Sequence, residues 1–203
     1  MGLHKLREHY LPLLSFPEEY AKLDWEDEYS HQKRFAVLFE FVDLQKKKLL
    51  DVGCGVGSLY RYLKRLGIDC EYTGIDVLPE MIELARKYSP EGNFLCGDPF
   101  EKNWFFPQSF DVVYASGIFN LDVGKGKSFL FEAVQQMEKW AKETLVFNAL
   151  HCRSHCPEER YVYYDPEEVL SFLRSRYSYK ITLVDEYLIN DFTILMEKTP
   201  RFQ

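Results

Sequence analysis

The spacing of apolar positions changes along the chain near residue 48. After Ser30, a possible N-cap, apolar residues recur at intervals of three and four, which predicts a helix over residues 31–43. Beyond this point short apolar runs alternate with amphipathic segments. The runs predict strands at 49–52, 71–76, 93–97, 110–116 and 143–150, and the segments predict helices at 58–66, 79–88, 127–140 and 166–175.

The last part of the chain predicts an antiparallel hairpin. Its two β-rich runs, residues 179–188 and 191–198, are separated by Ile189 and Asn190. Alternating strands and helices are typical of an α/β fold with a parallel sheet covered by helices on both faces. Since ligands of such sheets bind beyond the carboxyl ends of the strands, we expect functional residues at the strand ends.

The first 29 residues are rich in acidic and aromatic side chains. Pro12 and Pro17 interrupt them, which predicts short helical pieces and loops. We expect residues 1–47 to form a helical cap or lid on a single domain that spans 1–203. The aromatic residues of this segment could enclose an apolar or cationic ligand, or only cover the edge of the sheet: Tyr10, Phe16, Tyr20 and Trp25.

Composition limits the functions open to this chain of 203 residues. Lys and Arg number 25 against 32 Asp and Glu, a net charge of −7, which argues against broad nucleic-acid binding. No apolar run reaches the ~18 residues that cross a bilayer, and no secretory signal is visible, so we expect no membrane association. The five cysteines are an odd number and favour buried free thiols, hence a reducing compartment, with the cytoplasm as the expected location.

A glycine-rich turn follows the first predicted strand, in the sequence DVGCGVG (51–57). Glycines there allow positive φ and let a ligand approach the backbone. The dinucleotide-binding pattern is not met, because counting from Gly53 places Gly55 second but Ser58 third. A phosphate-binding P-loop is excluded because no Lys follows the last glycine. Asp51 at the strand end would repel a pyrophosphate and suit a ligand that carries an ammonium and a sulfonium.

Two further predicted strands end in carboxylates. Asp76 could accept hydrogen bonds from both hydroxyls of a ribose, or only cap the next helix. Asp98 could accept from an exocyclic adenine amine, or only form a turn. Val77 and Met81 could flank an adenine ring, or belong to the core.

The chain resembles the class I S-adenosylmethionine-dependent methyltransferases. The likeness rests on LLDVGCGVG (49–57), YTGID (72–76), CGD (96–98) and FDVVYAS (110–116), in this order. It implies a three-layer Rossmann-like sandwich with a seven-stranded, mostly parallel sheet in the order 3-2-1-4-5-7-6, in which strand 7 is antiparallel. It also implies S-adenosylmethionine as cofactor and S-adenosylhomocysteine as product.

The resemblance also assigns cofactor contacts to individual residues. They are Gly53, Cys54 and Gly55 for the methionyl part, Asp76 for the ribose, Gly97, Asp98 and Pro99 for the adenine, and Ser116 next to the methionyl group. Arg34, on the helix before the first strand, could pair with the cofactor carboxylate, or be a solvated surface residue.

Methyl transfer from a sulfonium is an in-line displacement that needs position and a dry site more than a dense catalytic cluster. If a general base exists, His151 is the first candidate, and a surface histidine is the alternative. The pattern H-C-x-x-H-C (151–156) resembles half of a zinc site, but no second cluster accompanies it, so we predict no metal. The fourth strand ends in ASGIFN (115–120), which lacks the Pro-Pro-aromatic box of base methylases.

These observations favour a methyltransferase that acts on a small molecule by in-line methyl transfer. One alternative is a non-catalytic binding or scaffold protein on the same fold. A nicotinamide-dependent oxidoreductase is less favoured, because the third glycine is missing. The acceptor, the methylated atom and the oligomeric state stay open.

Overall fold

The computed structural model describes residues 2–101 and 103–198. Within them one sheet contains the strands β1 (Lys48–Val52), β2 (Glu71–Asp76), β3 (Phe94–Cys96), β4 (Phe110–Ala115), β5 (Ala141–His151), β6 (Tyr163–Tyr164), β7 (Lys180–Val184) and β8 (Asp191–Glu197). The helices are α1 (Leu3–Leu13), α2 (Glu19–Lys22), α3 (Glu28–Phe41), α4 (Ser58–Arg65), α5 (Pro79–Tyr88), α6 (Ser128–Trp140) and α7 (Pro166–Arg176).

The sheet order is β3-β2-β1-β4-β5-β8-β7, which confirms the predicted topology. The strands from β1 to β5 pair in parallel, and β8 runs antiparallel to both β5 and β7. The short strand β6, which pairs in parallel with the end of β5, was not predicted. Two residues are too few to show an alternating pattern.

The predicted hairpin forms, but its connection is longer than two residues. β7 ends at Val184, and residues 185–190 form the loop. Arg153, from the segment after β5, donates through Nε to the Ile189 carbonyl at 3.1 Å and also contacts the Asp185 carbonyl. This side chain therefore satisfies two carbonyls of the loop, and the first strand of the predicted hairpin ends at Val184, four residues before the predicted end.

Apolar side chains fill both faces of the sheet. On β1, Leu50 packs with α6 and α7 on one face, whereas Leu49 packs with the helices on the other. On β4 the same alternation separates Val113 from Val112. The layers are thus helix, sheet and helix, and the strands are buried on both faces as parallel strands usually are.

The helix α3 begins at Glu28, three residues before the predicted start. Asp27, not Ser30, is the N-cap: its Oδ1 accepts the Ser30 N–H at 2.6 Å, and the Asp27 N–H donates to Ser30 Oγ at 3.4 Å. This reciprocal pair is a capping box, formed here with serine at the third position.

The N-terminal segment forms α1 and α2, which lie over the carboxyl ends of the central strands. Pro12 lies in the last turn of α1, so the helix ends one residue later, at Leu13. The buried ammonium of Lys22 donates to the carbonyls of Phe16 and Pro17, which ties the connection between the two helices. Phe16 itself is exposed.

The five cysteines are free, and their exposure corrects part of the expectation. Cys54 is buried and Cys70 half-buried, whereas Cys96, Cys152 and Cys156 are exposed. Among the described residues, no helix is both long and apolar enough to cross a bilayer.

Candidate active site

The glycine loop between β1 and α4 is fastened to β2. Gly53 and Cys54 donate their N–H groups to the Ile75 carbonyl at 2.8 and 3.1 Å, and the Gly55 N–H donates to Asp76 Oδ2 at 2.9 Å. Gly53 and Gly55 have φ of +75° and +51°, a region that glycine adopts without steric cost. The loop is therefore held in one shape beneath the space above the strands.

Two flexible side chains cover that backbone. A Cβ added at Gly53 would lie 2.1 Å from Ile118 Cγ2, and one added at Gly55 would lie 2.6 Å from Leu23 Cδ2. Ile118 comes from the segment after β4, and Leu23 from the segment after α2. A ligand that uses the bare loop must therefore displace these two side chains.

Asp51 lies on β1 beneath the same space and is 4% exposed. Its Oδ2 accepts the Tyr72 hydroxyl at 2.6 Å. Burial raises the pKa of Asp51 to about 7, against the opposing effect of the Tyr72 hydrogen bond. A positively charged partner would stabilise the ionised form of this buried carboxylate.

Asp76 ends β2 and uses both oxygens to shape the turn. Oδ2 accepts from Gly55, and Oδ1 accepts the Leu78 N–H at 2.9 Å. Burial raises the pKa of this carboxyl, while the backbone hydrogen bonds oppose the shift. Leu78, rather than Asp76, is the N-cap of α5. Each carboxylate oxygen can accept a second hydrogen bond, so the group can still bind ribose hydroxyls.

A cavity of about 130 Å³ lies over these strand ends. Most of the residues predicted to hold the cofactor line it: Asp51, Gly53, Cys54, Gly55, Asp76, Val77, Met81, Pro99 and Ser116. Its opposite wall comes from the N-terminal segment: Leu6, Tyr10, Leu23, Trp25 and His31. We call this space the central cavity.

Gly97 and Asp98 lie beside the central cavity but do not line it. Asp98 Oδ1 accepts the Phe100 N–H at 2.9 Å, and its carbonyl accepts Trp104 Nε1–H at 2.7 Å. A Cβ at Gly97 would lie 2.3 Å from the Trp104 ring. The structure thus shows the turn expected as the alternative for Asp98, and its role toward adenine stays a prediction.

Arg34 is buried, which corrects the alternative of a solvated surface residue. Its Nε and Nη2 donate to the two carboxylate oxygens of Asp191 at 3.1 and 2.5 Å, and Nη1 donates to the Ser30 carbonyl at 2.6 Å. Its guanidinium also lies 3.8 Å from the centre of the Trp25 ring. Arg34 does not line the central cavity, so the structure gives no support to the predicted contact with the cofactor carboxylate.

His151 is buried too and is not a surface residue. Its Nδ1 accepts the Arg153 N–H at 3.1 Å, and its ring packs edge-on against Phe192. Burial and the Arg153 charge lower its pKa. His151 does not line the central cavity, so the predicted general base lies apart from it. Over the described part of the chain, no group of three or more His, Cys, Asp or Glu side chains could hold a metal ion.

His31 is a cavity residue that the sequence did not indicate. It is 6% exposed, and its ring stacks at 6.3 Å on Trp25 and packs against Phe35 at 4.9 Å. Burial lowers its pKa to about 4, so the ring is neutral at pH 7. In the sequence His31 is simply a polar residue near a helix start, without a local pattern to distinguish it.

A second space opens beside the central cavity, and we call it the side chamber. The two share Tyr10, Leu23, Trp25 and Gly117, so they meet at the end of β4. The rest of the side chamber is lined by the segments after β4 and β5 and before β8, by the loop after α2, and by Ser30 and Arg34 of α3. The ring of Trp25 covers Gly117, where an added Cβ would lie 2.9 Å from it.

The sheet order and the glycine loop define a Rossmann-like protein. A family of methyltransferase domains matches residues 49–143. A Mycobacterium tuberculosis protein named "Putative methyltransferase Rv1506c" is 30% identical over 157 residues, which cover 73% of this chain and 91% of that protein. The chain therefore belongs to the class I S-adenosylmethionine-dependent methyltransferases, and its cofactor is S-adenosylmethionine.

Other relatives extend this comparison. Trans-aconitate 2-methyltransferase of Afipia carboxidovorans is 29% identical over 102 residues, which cover 50% of this chain and 38% of that enzyme. The fold matches magnesium protoporphyrin IX methyltransferase of Synechocystis PCC 6803 with bound SAH, with a TM-score of 0.69 and 14% identity over 98% of this chain and 94% of that one. These findings favour the methyltransferase over the oxidoreductase alternative.

Proposed function

We propose that this methyltransferase transfers the methyl group to a small-molecule acceptor that binds in the side chamber. The observation that carries this proposal is the junction of the two spaces at Gly117. A ligand in the side chamber would meet the methionyl end of a cofactor in the central cavity there. Residues 1–47 act in this proposal as the lid over both spaces, since Tyr10, Leu23 and Trp25 line each of them.

The residues that line the central cavity suit the chemistry of the cofactor, which would bind as Leu23 and Ile118 move aside. Backbone without Cβ atoms at Gly53 and Gly55 gives room for the methionyl part, beside Cys54 and Ser116. The carboxylates of Asp51 and Asp76 suit a ligand with positive charge and ribose hydroxyls. Val77 and Met81 would flank the adenine, with Gly97, Asp98 and Pro99 at its edge.

The protein itself supplies position and a dry site. When bound, the cofactor provides an electrophilic methyl group on a sulfonium. The lid side chains exclude water from that group, and the junction at Gly117 aligns the acceptor behind the methyl carbon. His31 is neutral and lines the central cavity, whereas His151 does not line it. We therefore assign no general base to the segment after β5.

The size and charge of the site favour a small acceptor over a macromolecule. The lid covers the strand ends, so a folded protein or a duplex would have to displace it. A chain with net charge −7 also repels nucleic-acid phosphates. For the same reason we propose that the protein does not bind nucleic acids broadly. We also propose a cytoplasmic location, which a fluorescent fusion would test.

The test incubates the protein with S-adenosylmethionine labelled on its methyl group and a bacterial lysate split into protein, nucleic acid and small-molecule ultrafiltrate. We expect label in the ultrafiltrate. Label confined to the protein or nucleic-acid fraction would contradict the proposal. Titration calorimetry with S-adenosylhomocysteine distinguishes the enzyme from the scaffold alternative. The scaffold alternative predicts that millimolar ligand does not bind.

A further inference from the structure

We propose, building on the small-molecule function above, that the acceptor is an amine that binds the side chamber as a cation. The chamber walls combine an excess of carboxylates with aromatic rings next to the methyl-transfer junction. Such walls select for positive charge and against carboxylate acceptors.

The first support is the charge balance of the chamber. Its described lining holds four carboxylates and two guanidiniums: Asp24, Glu26, Glu158 and Asp191 against Arg34 and Arg160. Both guanidiniums are already paired. Arg34 binds Asp191, and Arg160 lies 2.7 Å from Glu158. The lining therefore holds two more carboxylates than guanidiniums. Arg160 also attracts the Asp24 carboxylate, so one guanidinium serves two carboxylates there.

Asp24 is placed to meet the ligand. Its Oδ2 accepts from His9 Nε2 at 2.8 Å and from the Tyr161 hydroxyl, which fixes the side chain. No described residue donates to Oδ1, and the side chain is 25% exposed. These hydrogen bonds lower the pKa of Asp24, so it is ionised at neutral pH.

A second, independent observation comes from Asn120. This residue is 9% exposed and lines the chamber near Gly117, yet within residues 2–101 and 103–198 its Oδ1 has no hydrogen-bond donor. A buried acceptor without a partner costs free energy unless a ligand supplies the N–H or O–H. An amine provides such a donor, whereas a carboxylate or an ether does not.

Aromatic side chains complete the chamber. Tyr10 and Tyr161 line the chamber together with Asp24, and Trp25 already holds the Arg34 guanidinium against its ring. Ring faces attract cations, most strongly where water is excluded. The site thus matches a small ammonium-bearing molecule.

The methyl transfer needs no reactant besides the amine and the cofactor. The bound ammonium first loses a proton to solvent. The nitrogen lone pair then attacks the methyl carbon, the carbon–sulfur bond breaks, and its electron pair stays on sulfur. The products are an N-methylammonium ion and S-adenosylhomocysteine.

The experiment uses the labelled ultrafiltrate of the assay above, with one half treated with acetic anhydride to acylate its amines. We expect treatment to abolish labelling and the labelled product to bind a cation exchanger at pH 7. Labelling that survives acylation, or an alkali-labile methyl ester, would overturn the amine while leaving the small-molecule function intact. Absence of label from both ultrafiltrates would overturn the two proposals together.

Variants test the chamber itself. Asp24 has φ of +61°, which asparagine adopts readily, so Asp24→Asn keeps the backbone. We expect this variant to lower kcat/KM for the acceptor about tenfold or more, with S-adenosylhomocysteine affinity unchanged. Glu26→Gln should lower it less, and Glu83→Gln, on the distant face of α5, should not change it. Equal loss of cofactor affinity in Asp24→Asn, or unaltered kcat/KM in both chamber variants, would refute the assignment.

Discussion

The buried carboxyl of Asp51 predicts a pH dependence of stability that a single substitution should remove. Asp51 has a pKa of about 7 in the folded protein because burial disfavours its charge. In the unfolded chain its pKa is near 3.8. The folded state therefore holds the proton more tightly, and stability falls as pH rises from the unfolded to the folded pKa. The contribution is fully present below pH 3.8 and lost above pH 7.

The magnitude follows from this shift. A difference of about three pKa units corresponds to about 4 kcal/mol, because each unit is worth about 1.4 kcal/mol. In Asp51→Asn the amide oxygen can still accept the Tyr72 hydroxyl, but the group does not titrate. Any constant cost of the new amide cancels when the same variant is compared at two pH values.

The assay is urea unfolding of both proteins between pH 4 and pH 8. We expect the wild type to lose about 3–4 kcal/mol relative to Asp51→Asn over this range, most of it below pH 7. Parallel stability curves for the two proteins would refute the reasoning, since they would mean that Asp51 titrates alike in the folded and unfolded chains.

Three further substitutions test the cofactor site and the buried ion pair. Asp76→Ala should weaken S-adenosylhomocysteine binding by about 1–3 kcal/mol in calorimetry, because ribose hydroxyls lose their acceptor; an unchanged affinity would show that the ribose lies elsewhere. Gly55→Ala should weaken the same binding about tenfold or more, whereas Gly126→Ala, a matched control with φ of +53° and no atom within 4 Å of the added Cβ, should not; equal affinities would exclude close backbone approach. Asp191→Asn leaves the Arg34 guanidinium buried without its carboxylate and should cost about 3–5 kcal/mol in urea unfolding, and a cost below about 1 kcal/mol would show that the pair is solvated.

Much of the sheet was predictable because the apolar pattern that specifies each strand lies within its own few residues. Each central strand is a short apolar run buried on both faces, and each is bounded by glycine, proline or a charged residue. The glycine loop was predictable for the same reason, since its chemistry lies within residues 51–57. The resemblance then supplied the sheet order, which strand patterns alone do not fix.

The surroundings that the sequence did not predict depend on contacts between distant parts of the chain. Arg34 and Asp191 are 157 positions apart, so neither shows in its own segment that the other neutralises it. His151 looked like a loop residue, but it is the last residue of β5, where it pairs with Tyr164 of β6 and packs against Phe192. Leu23 covers Gly55 only because the N-terminal segment folds back over the strand ends.

A crystal structure of the protein with S-adenosylhomocysteine tests the central claim most directly. We expect the adenosyl group in the central cavity, with a ribose hydroxyl in hydrogen-bond distance of Asp76, and with Ile118 and Leu23 moved off Gly53 and Gly55. A ligand bound at another place, or one bound while those two side chains still cover the glycine loop, would contradict it.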